Sequence, residues 1–356
     1  MSATEWGGPL LQALMGDAAA AALFTREAEL QAMLRVEAAL ATAEAEAGLV
    51  APAAAAAIEA ACGAFRPDWP RLTAGLTQDG VMVPALVRAL RAAVGPTVAP
   101  SVHKGATSQD IIDTALILRL KPALGLIEQR TRDLLAALEE LAARQGGLPL
   151  MAHTRMQAAL PFTVADKVDT WRAPLRRHLQ RLDELRPRLL VVQLGGPVGT
   201  RAELGSAADA VAAGLAQRLD LAVAVPWHSA RDAIGELAAW LSLLAGTLGK
   251  IGQDVALLAQ SEVGVVRVEG SGGSSAMPHK ANPVAAELLV AAARYVAGSL
   301  GTLHQALVHE NERSGAAWTL EWMVLPSMVI CVAGALARAG ALVTAMDFVA
   351  VEGSAG

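Results

Sequence analysis

Ile234, Leu237, Leu241, Leu244, Leu248, Ile251, Val255 and Leu258 recur at alternating intervals of three and four residues. That spacing puts all eight on one side of a helix and predicts the seam of a long bundle helix, crossing its neighbours at about 20°. Gly235, Gly246, Gly249 and Gly252 interrupt the stretch and offer small surfaces for close helix approach. A second long helix is predicted from Pro283 toward His309, and a third from about Trp318. Earlier in the chain, Thr25 is placed to cap a helix through about Ala47, with Gly48 as its stop. The Ala51–Ala57 patch reads as helix, and Arg66 to Pro70 as a loop. Val83–Val94 is helical up to Gly95-Pro96. A helix over Ile111–Leu120 follows, capped by Thr107 or Ser108. Short extended pieces fit Leu148–Ala152 and Leu189–Leu194, but no alternating pattern is long enough for a main sheet.

Composition supports this helical reading. The 356 residues are 54% hydrophobic, 18% charged and only 3% aromatic, so a large Ala/Leu/Val core is assured and disorder is disfavoured. A net charge of −5 and the absence of a Lys/Arg tract argue against a nucleic-acid partner. The mean hydropathy of +0.40 raises the question of a membrane. The longest uncharged run, Trp322 to Ala337, is interrupted by Pro326 and falls short of the roughly 20 residues a span needs, so a buried helix and no membrane are expected. Met1 to Leu10 lacks the basic and apolar regions of a secretory signal. Cys62 and Cys331 sit in apolar helical contexts without metal-ligand spacing. Buried thiols in a reducing, cytoplasmic compartment are the expectation.

The most unusual stretch runs from Glu269 to Pro283, EGSGGSSAMPHKANP. Its glycines and serines predict a loop, feeding a helix with Asn282 at the N-cap and Pro283 at the first helical position. The N-terminal N–H groups of that helix, together with Lys280, suit a carboxylate or a developing oxyanion. A solvated glycine linker has the same composition.

Gly273 to Pro283 also resembles the signature of the fumarase/aspartase superfamily, which includes argininosuccinate and adenylosuccinate lyases and the 3-carboxy-cis,cis-muconate cycloisomerases. His103 to Thr114 (HKGATSQDIIDT) and His153 to Pro161 (HTRMQAALP) resemble two further family blocks in the same order. Glu29 to Gly48, Gly195 to Thr200 and Pro226 to Asp232 also match, so the resemblance covers about residues 5 to 330. It implies an all-α fold: an N-terminal helical domain over 1–100, a central long-helix bundle over 101–340 and a short tail over 341–356. Longer members continue into a small C-terminal helical domain, which is expected to be lacking here. Gly105 to Asp110, Pro226 to His228, and Glu310 to Arg313 followed by Glu321-Trp322 look most like the cycloisomerase branch.

One position carries a chemical argument. Lyases of this group usually place a histidine after the threonine of the second block, where it assists the leaving group. Here Arg155 stands there, and His153 comes two residues earlier. An amine leaving group needs a proton from an acid of near-neutral pKa. A carboxylate, the nucleophile in lactonisation, needs none. Arginine cannot serve as that acid, but it binds carboxylates bidentately. Arg155 therefore suits a tricarboxylate substrate, with His153 as a rival acid/base.

The resemblance implies cyclisation of 3-carboxy-cis,cis-muconate to a carboxymuconolactone, in aromatic catabolism, through an aci-carboxylate. Ser274 is then the proton donor to carbon. Lys280, Asn282 and backbone N–H groups near Ser274 and Ser275 stabilise the extra charge. His103, Lys104, Thr107, Ser108, Gln109, Thr154, Arg155, Gln157, Ser275, Met277 and Arg313 are the implied substrate contacts. His228 and Arg231 are read as supporting or interface residues, and His178 and His304 as structural. No HExxH or paired ligand spacing occurs, so neither metal nor cofactor is expected. Family members are homotetramers whose sites draw on three chains. Adenylosuccinate lyase-like β-elimination and a noncatalytic scaffold of the same fold are the alternatives.

Overall fold

The computed structural model describes residues 8–270, 272–273, 275–277 and 280–349. The chain opens with α1 (Gly8–Met15) and α2 (Ala18–Ala22), then α3 (Arg26–Glu46), α4 (Pro52–Gly63), α5 (Trp69–Asp79) and α6 (Val83–Val94). The long α7 (Ser108–Gln145) leads into a hairpin of β1 (Pro149–Thr154) and β2 (Gln157–Thr163), and then α8 (Val164–Leu189). α9 (Ala208–Leu219), α10 (Asp232–Leu258), β3 (Val266–Val268), α11 (Val284–Gln305), α12 (Gly315–Ala345) and β4 (Met346–Phe348) complete it.

Several boundaries follow the sequence chemistry. The Thr25 side chain accepts the Ala28 N–H at 3.1 Å and starts α3, while Gly48 leaves that helix at a left-handed φ of 76°. In α10, seven of the eight seam residues are buried and Leu258 is half-buried. Gly249 and Gly252 carry the close approach to α11. A Cβ on Gly252 would lie 2.4 Å from the Ala286 carbonyl oxygen, and one on Gly249 2.5 Å from the Ala293 Cβ. Gly246 has open space instead.

Other boundaries differ from the sequence reading. The predicted Ile111–Leu120 helix is the first third of α7, which continues through Pro122 to Gln145. α11 begins one residue later than predicted, with Pro283 rather than Asn282 in the N-cap place. The extended pieces become β1 at Pro149–Thr154 and a single bridge between Val191 and Ala222. Residues 341–345 still belong to α12, and the next three pair with β3, so the described part of the expected tail is bound into the bundle.

Two cores form. One gathers α7, α8, α10, α11 and α12 around residues such as Trp171, Leu241 and Val329, and takes in Ala20 and Phe24. The other joins α3 to α6 with the first turns of α7, residues 192–219 and Trp318. The second core therefore crosses the boundary expected at residue 100.

α10, α11 and α12 are each long and apolar enough to cross a membrane by length and composition. The uncharged run Trp322–Ala337 falls short of that only when taken apart from its 31-residue helix. In α10 and α12 most of the most apolar window is buried against the other helices. In α11 only 22% is, which leaves an apolar face uncovered in the single chain.

Candidate active site

The first turn of α7 is the organising point. Asp110 is buried there as an acceptor for the Gly195 N–H at 2.8 Å, the Gly196 N–H at 2.9 Å and the Thr107 N–H at 3.0 Å. His228 Nε2 lies 2.8 Å from the same carboxylate. These bonds fasten the Gly195–Thr200 segment across the helix start. Only glycine fits at 195, where a Cβ would lie 2.6 Å from the His228 ring. Thr107 and Ser108 stand at the opening of the helix, half-buried.

Beneath them lies a buried ion network. Arg231 bonds Asp113 at 2.6 and 3.2 Å and Glu321 at 2.9 and 2.6 Å. Its guanidinium sits 4.6 Å from the Trp227 ring centre, and Trp318 Nε1 donates to Asp113 at 3.0 Å. Burial opposes the charge on Arg231, but the two carboxylates outweigh it and raise its pKa. Burial also raises the Glu321 carboxyl, against the pull of Arg231. The buried His309 ring lies 3.8 Å from Glu321. Burial and then Arg231 lower its pKa.

Gln109 connects this network to the surface. Its side chain is fully buried. Its Nε2 donates to Asp113 Oδ2 at 3.1 Å and to the His228 carbonyl at 2.9 Å. Its Oε1 accepts from Arg313 Nε at 3.0 Å. Arg313 Nη2 also donates to the Pro197 carbonyl at 3.1 Å. Arg313 is thus exposed yet held at two points, while Gln109, expected at the substrate, has its amide occupied inside the protein.

On the neighbouring face, His103 Nδ1 lies 2.7 Å from Glu37 Oε1. Burial lowers the His103 pKa, but Glu37 and then Asp110 reverse this, and the net shift is upward. Lys104 Nζ donates to the Leu49 carbonyl at 2.8 Å. Glu44, one heptad beyond Glu37 on α3, is fully buried. Burial, then Glu37, push its carboxyl up to about 8 against the pull of Lys104.

The other predicted residues lie elsewhere. His153, Thr154, Arg155 and Gln157 are exposed on the β1–β2 hairpin. Arg155 and Met156 form its tip at φ of 48° and 67°, a turn that ordinarily selects Asn or Gly. The backbone strain thus sits at the exposed Arg155 itself. His153 Nδ1 lies 3.0 Å from the Met151 carbonyl oxygen. The glycine-rich loop is pinched at its base, where Gly272 and Asn282 exchange backbone hydrogen bonds of 2.9 and 2.7 Å. Asn282 Nδ2 also donates to the Gly273 carbonyl at 3.2 Å. Lys280, Ser275 and Met277 are exposed, and the Lys280 N–H donates to the Met277 carbonyl at 3.0 Å. Ser274 lies outside the described residues.

Helix length separates these groups. At about 1.5 Å per residue, the 38 residues of α7 span roughly 55 Å. Thr107 stands at one end and the hairpin springs from the other. β4 ties the far end together: Phe348 exchanges hydrogen bonds with Gln145 at the close of α7 and pairs with Val266, just past α10. The loop follows from there. α11, 22 residues and about 33 Å long, then returns the chain to Arg313. One copy therefore carries the Thr107–Arg313 cluster at one end and the hairpin and loop base at the other.

The sequence reading missed Glu37, Glu44, Asp110 and Asp113 as structural acids. Their signal was a charge at an otherwise apolar core position, as in the Leu30–Glu37–Glu44 heptad of α3. Among the described residues, no group of three or more His, Cys, Asp or Glu side chains could hold a metal ion.

Known proteins extend these observations. The family model described as Lyase matches residues 16–298. A 3-carboxy-cis,cis-muconate cycloisomerase of Pseudomonas aeruginosa is 46% identical over 333 residues, 92% of this chain and 72% of that protein. The crystal structure of 3-carboxy-cis,cis-muconate lactonizing enzyme from Pseudomonas putida agrees with a TM-score of 0.90 at 44% identity, over 96% of this chain and 77% of that one. An N-acetyl-S-(2-succino)cysteine lyase of Enterococcus italicus is 35% identical, over 89% of this chain and 70% of that protein. The chain belongs to this lyase family, the fumarase/aspartase group that its signature segments resemble, alongside the 3-carboxy-cis,cis-muconate cycloisomerases.

Proposed function

We propose that the chain is a cycloisomerase that lactonises 3-carboxy-cis,cis-muconate in aromatic catabolism. The observation that carries this is its 46% identity, across 92% of its length, to a protein of that name. The geometry agrees with a multiply anionic substrate. Arg155 projects from the hairpin tip, Arg313 is held beside the first turn of α7, and Lys280 is exposed on the loop. Guanidinium groups bind carboxylates bidentately without supplying a proton.

In the reaction, one substrate carboxylate oxygen forms a C–O bond to the diene. The displaced electron pair moves onto another carboxyl group as an aci-carboxylate, and its α carbon takes up a proton. Lys280 and Asn282 stabilise the added charge, and Ser274 delivers the proton, as the family resemblance implies. Donors of this kind are each worth about 3–4 kcal/mol in the transition state. Thr107, Ser108, His103 and Lys104 line the α7 end of the substrate site, with Thr154, Arg155 and Gln157 entering from the hairpin, and Ser275 and Met277 from the loop. His153 remains the alternative acid/base beside Arg155.

The site is completed between copies of the chain in a homotetramer. The length of α7 supports this, because the hairpin tip of one copy cannot reach its own Thr107. The uncovered apolar face of α11 and the exposed Met151, Met156 and Leu160 of the hairpin supply surface for such contacts. Two buried free cysteines accord with a cytoplasmic enzyme.

A substrate panel tests the reading. With 3-carboxy-cis,cis-muconate, the diene absorbance falls and a lactone forms. Turnover only of adenylosuccinate, argininosuccinate or N-acetyl-S-(2-succino)cysteine replaces the assignment with a β-elimination, and no turnover of any favours a scaffold. Mixing Arg155→Ala and Arg313→Met proteins under subunit exchange, at a substrate concentration where each alone turns over slowly, restores activity if the site is shared. No recovery rejects the shared site.

A further inference from the structure

We infer that Gln109 and Asp113 are positioning residues that set the substrate-facing orientation of Arg313, an inference that rests on the carboxylate-binding role proposed for that arginine. The argument is one of hydrogen-bond complementarity. A carboxamide has a donor end and an acceptor end, and neighbours decide which way it turns. Gln109 Nε2 faces two groups that can only accept, Asp113 Oδ2 at 3.1 Å and the His228 carbonyl at 2.9 Å. Its oxygen must therefore face Arg313 Nε, a group that can only donate, at 3.0 Å.

Asp113 is itself immobile, since Arg231 and Trp318 hold both of its oxygens. The order imposed by the core thus passes from Asp113 through one amide to an exposed guanidinium. The Pro197 carbonyl supplies the second hold, 3.1 Å from Nη2. With Nε and Nη2 both engaged, Nη1 is the guanidinium nitrogen that these two bonds leave for a substrate carboxylate, where a charge-assisted hydrogen bond is a strong one. A long arginine side chain otherwise loses rotamer freedom when it orders on a ligand, and the amide removes part of that cost before substrate arrives. Because Gln109 is fully buried, it acts through Arg313 and not on the substrate.

A kinetic cycle on the full chain tests this with 3-carboxy-cis,cis-muconate as the probe. Arg313→Met raises KM roughly 10- to 100-fold, the range for a hydrogen bond to a charged group. Gln109→Met raises KM by a smaller factor, about 5-fold, with a lesser change in kcat. In the double variant Gln109→Met adds nothing to Arg313→Met, the signature of action through one group. A cooperative melt recorded beside each assay separates positioning from loss of fold, and Gln109→Leu replaces Gln109→Met if that melt is lost. Wild-type KM in a folded Gln109 variant, or independent effects that multiply in the double variant, overturns the inference while leaving Arg313 as a ligand. Wild-type KM in Arg313→Met overturns both, whereas lactonisation by the unaltered chain is a separate readout of the reaction itself.

Discussion

His103 Nδ1 lies 2.7 Å from Glu37 Oε1, and the Glu37 side chain has no exposed surface. The pair joins α3 to the turn that enters α7. Burial disfavours the imidazolium, yet Glu37 outweighs it and the net pKa is raised. A raised histidine pKa means the folded protein holds the proton more tightly than the unfolded chain. The pair's contribution to stability is full below about pH 6.5, the unfolded value, and is lost as pH rises through the folded pKa. Replacing Glu37 by Gln should lower the His103 pKa, read from its ring resonances, and remove that part of the pH dependence of the melting temperature. An unchanged His103 titration in the variant would show that the pair does not set the charge.

Glu44 carries the same sign of pH dependence from a different cause. Burial pushes its carboxyl up to about 8, so the folded state keeps a proton that the unfolded chain releases near 4.3. Its contribution is fully present below that lower value and declines as pH rises toward 8. Glu44→Gln should therefore raise stability at pH 8 by about 1–3 kcal/mol and change little at pH 4. Denaturant titrations at both pH values check this, and an equal effect at the two would exclude ionisation as the cause.

Gly252→Ala should force α10 and α11 apart, because the added methyl carbon would lie 2.4 Å from the Ala286 carbonyl oxygen and 2.8 Å from the Leu289 Cβ. Overpacking of this kind costs about 1–3 kcal/mol, even though alanine is the better helix former. A melting temperature at or above that of the parent chain would mean the helices separate freely here.

Arg155 is exposed at the hairpin tip. Arg155→Ala should raise KM for the tricarboxylate roughly 10- to 100-fold while leaving the melting temperature near its parent value. Arg155→Gly, which also relieves the left-handed φ of 48°, should show the same KM defect with equal or better stability. Normal KM in both variants would remove Arg155 from the site.

The course of the helices was largely legible along the chain. The three-and-four spacing from Ile234 to Leu258 marked α10 because burial on one side of a helix repeats with the helix period. Thr25 and Gly48 marked the ends of α3 because capping is local chemistry. α7 was less legible, since Pro122 reads locally as a stop, while packing against α8 and α12 carries the helix past it. The site was legible only as separate segments. Arg155 stood out because one arginine occupied a position where the family resemblance implied a histidine.

What the chain determined by itself was the set of local instructions: helix faces, caps, a glycine-rich loop, and side chains suited to carboxylates. Folding decided which of these meet. Asp113, Arg231 and Glu321 are far apart in sequence, and only interior packing makes them one ion network, because buried charges must find partners. Gln109 lies one residue from Ser108 in sequence, yet helix rotation turns it inward to hold Arg313. The roughly 55 Å of α7 sets the hairpin and the Thr107 cluster at opposite ends of one copy, a separation that arises from the rigid length of a packed helix and that no local pattern encodes.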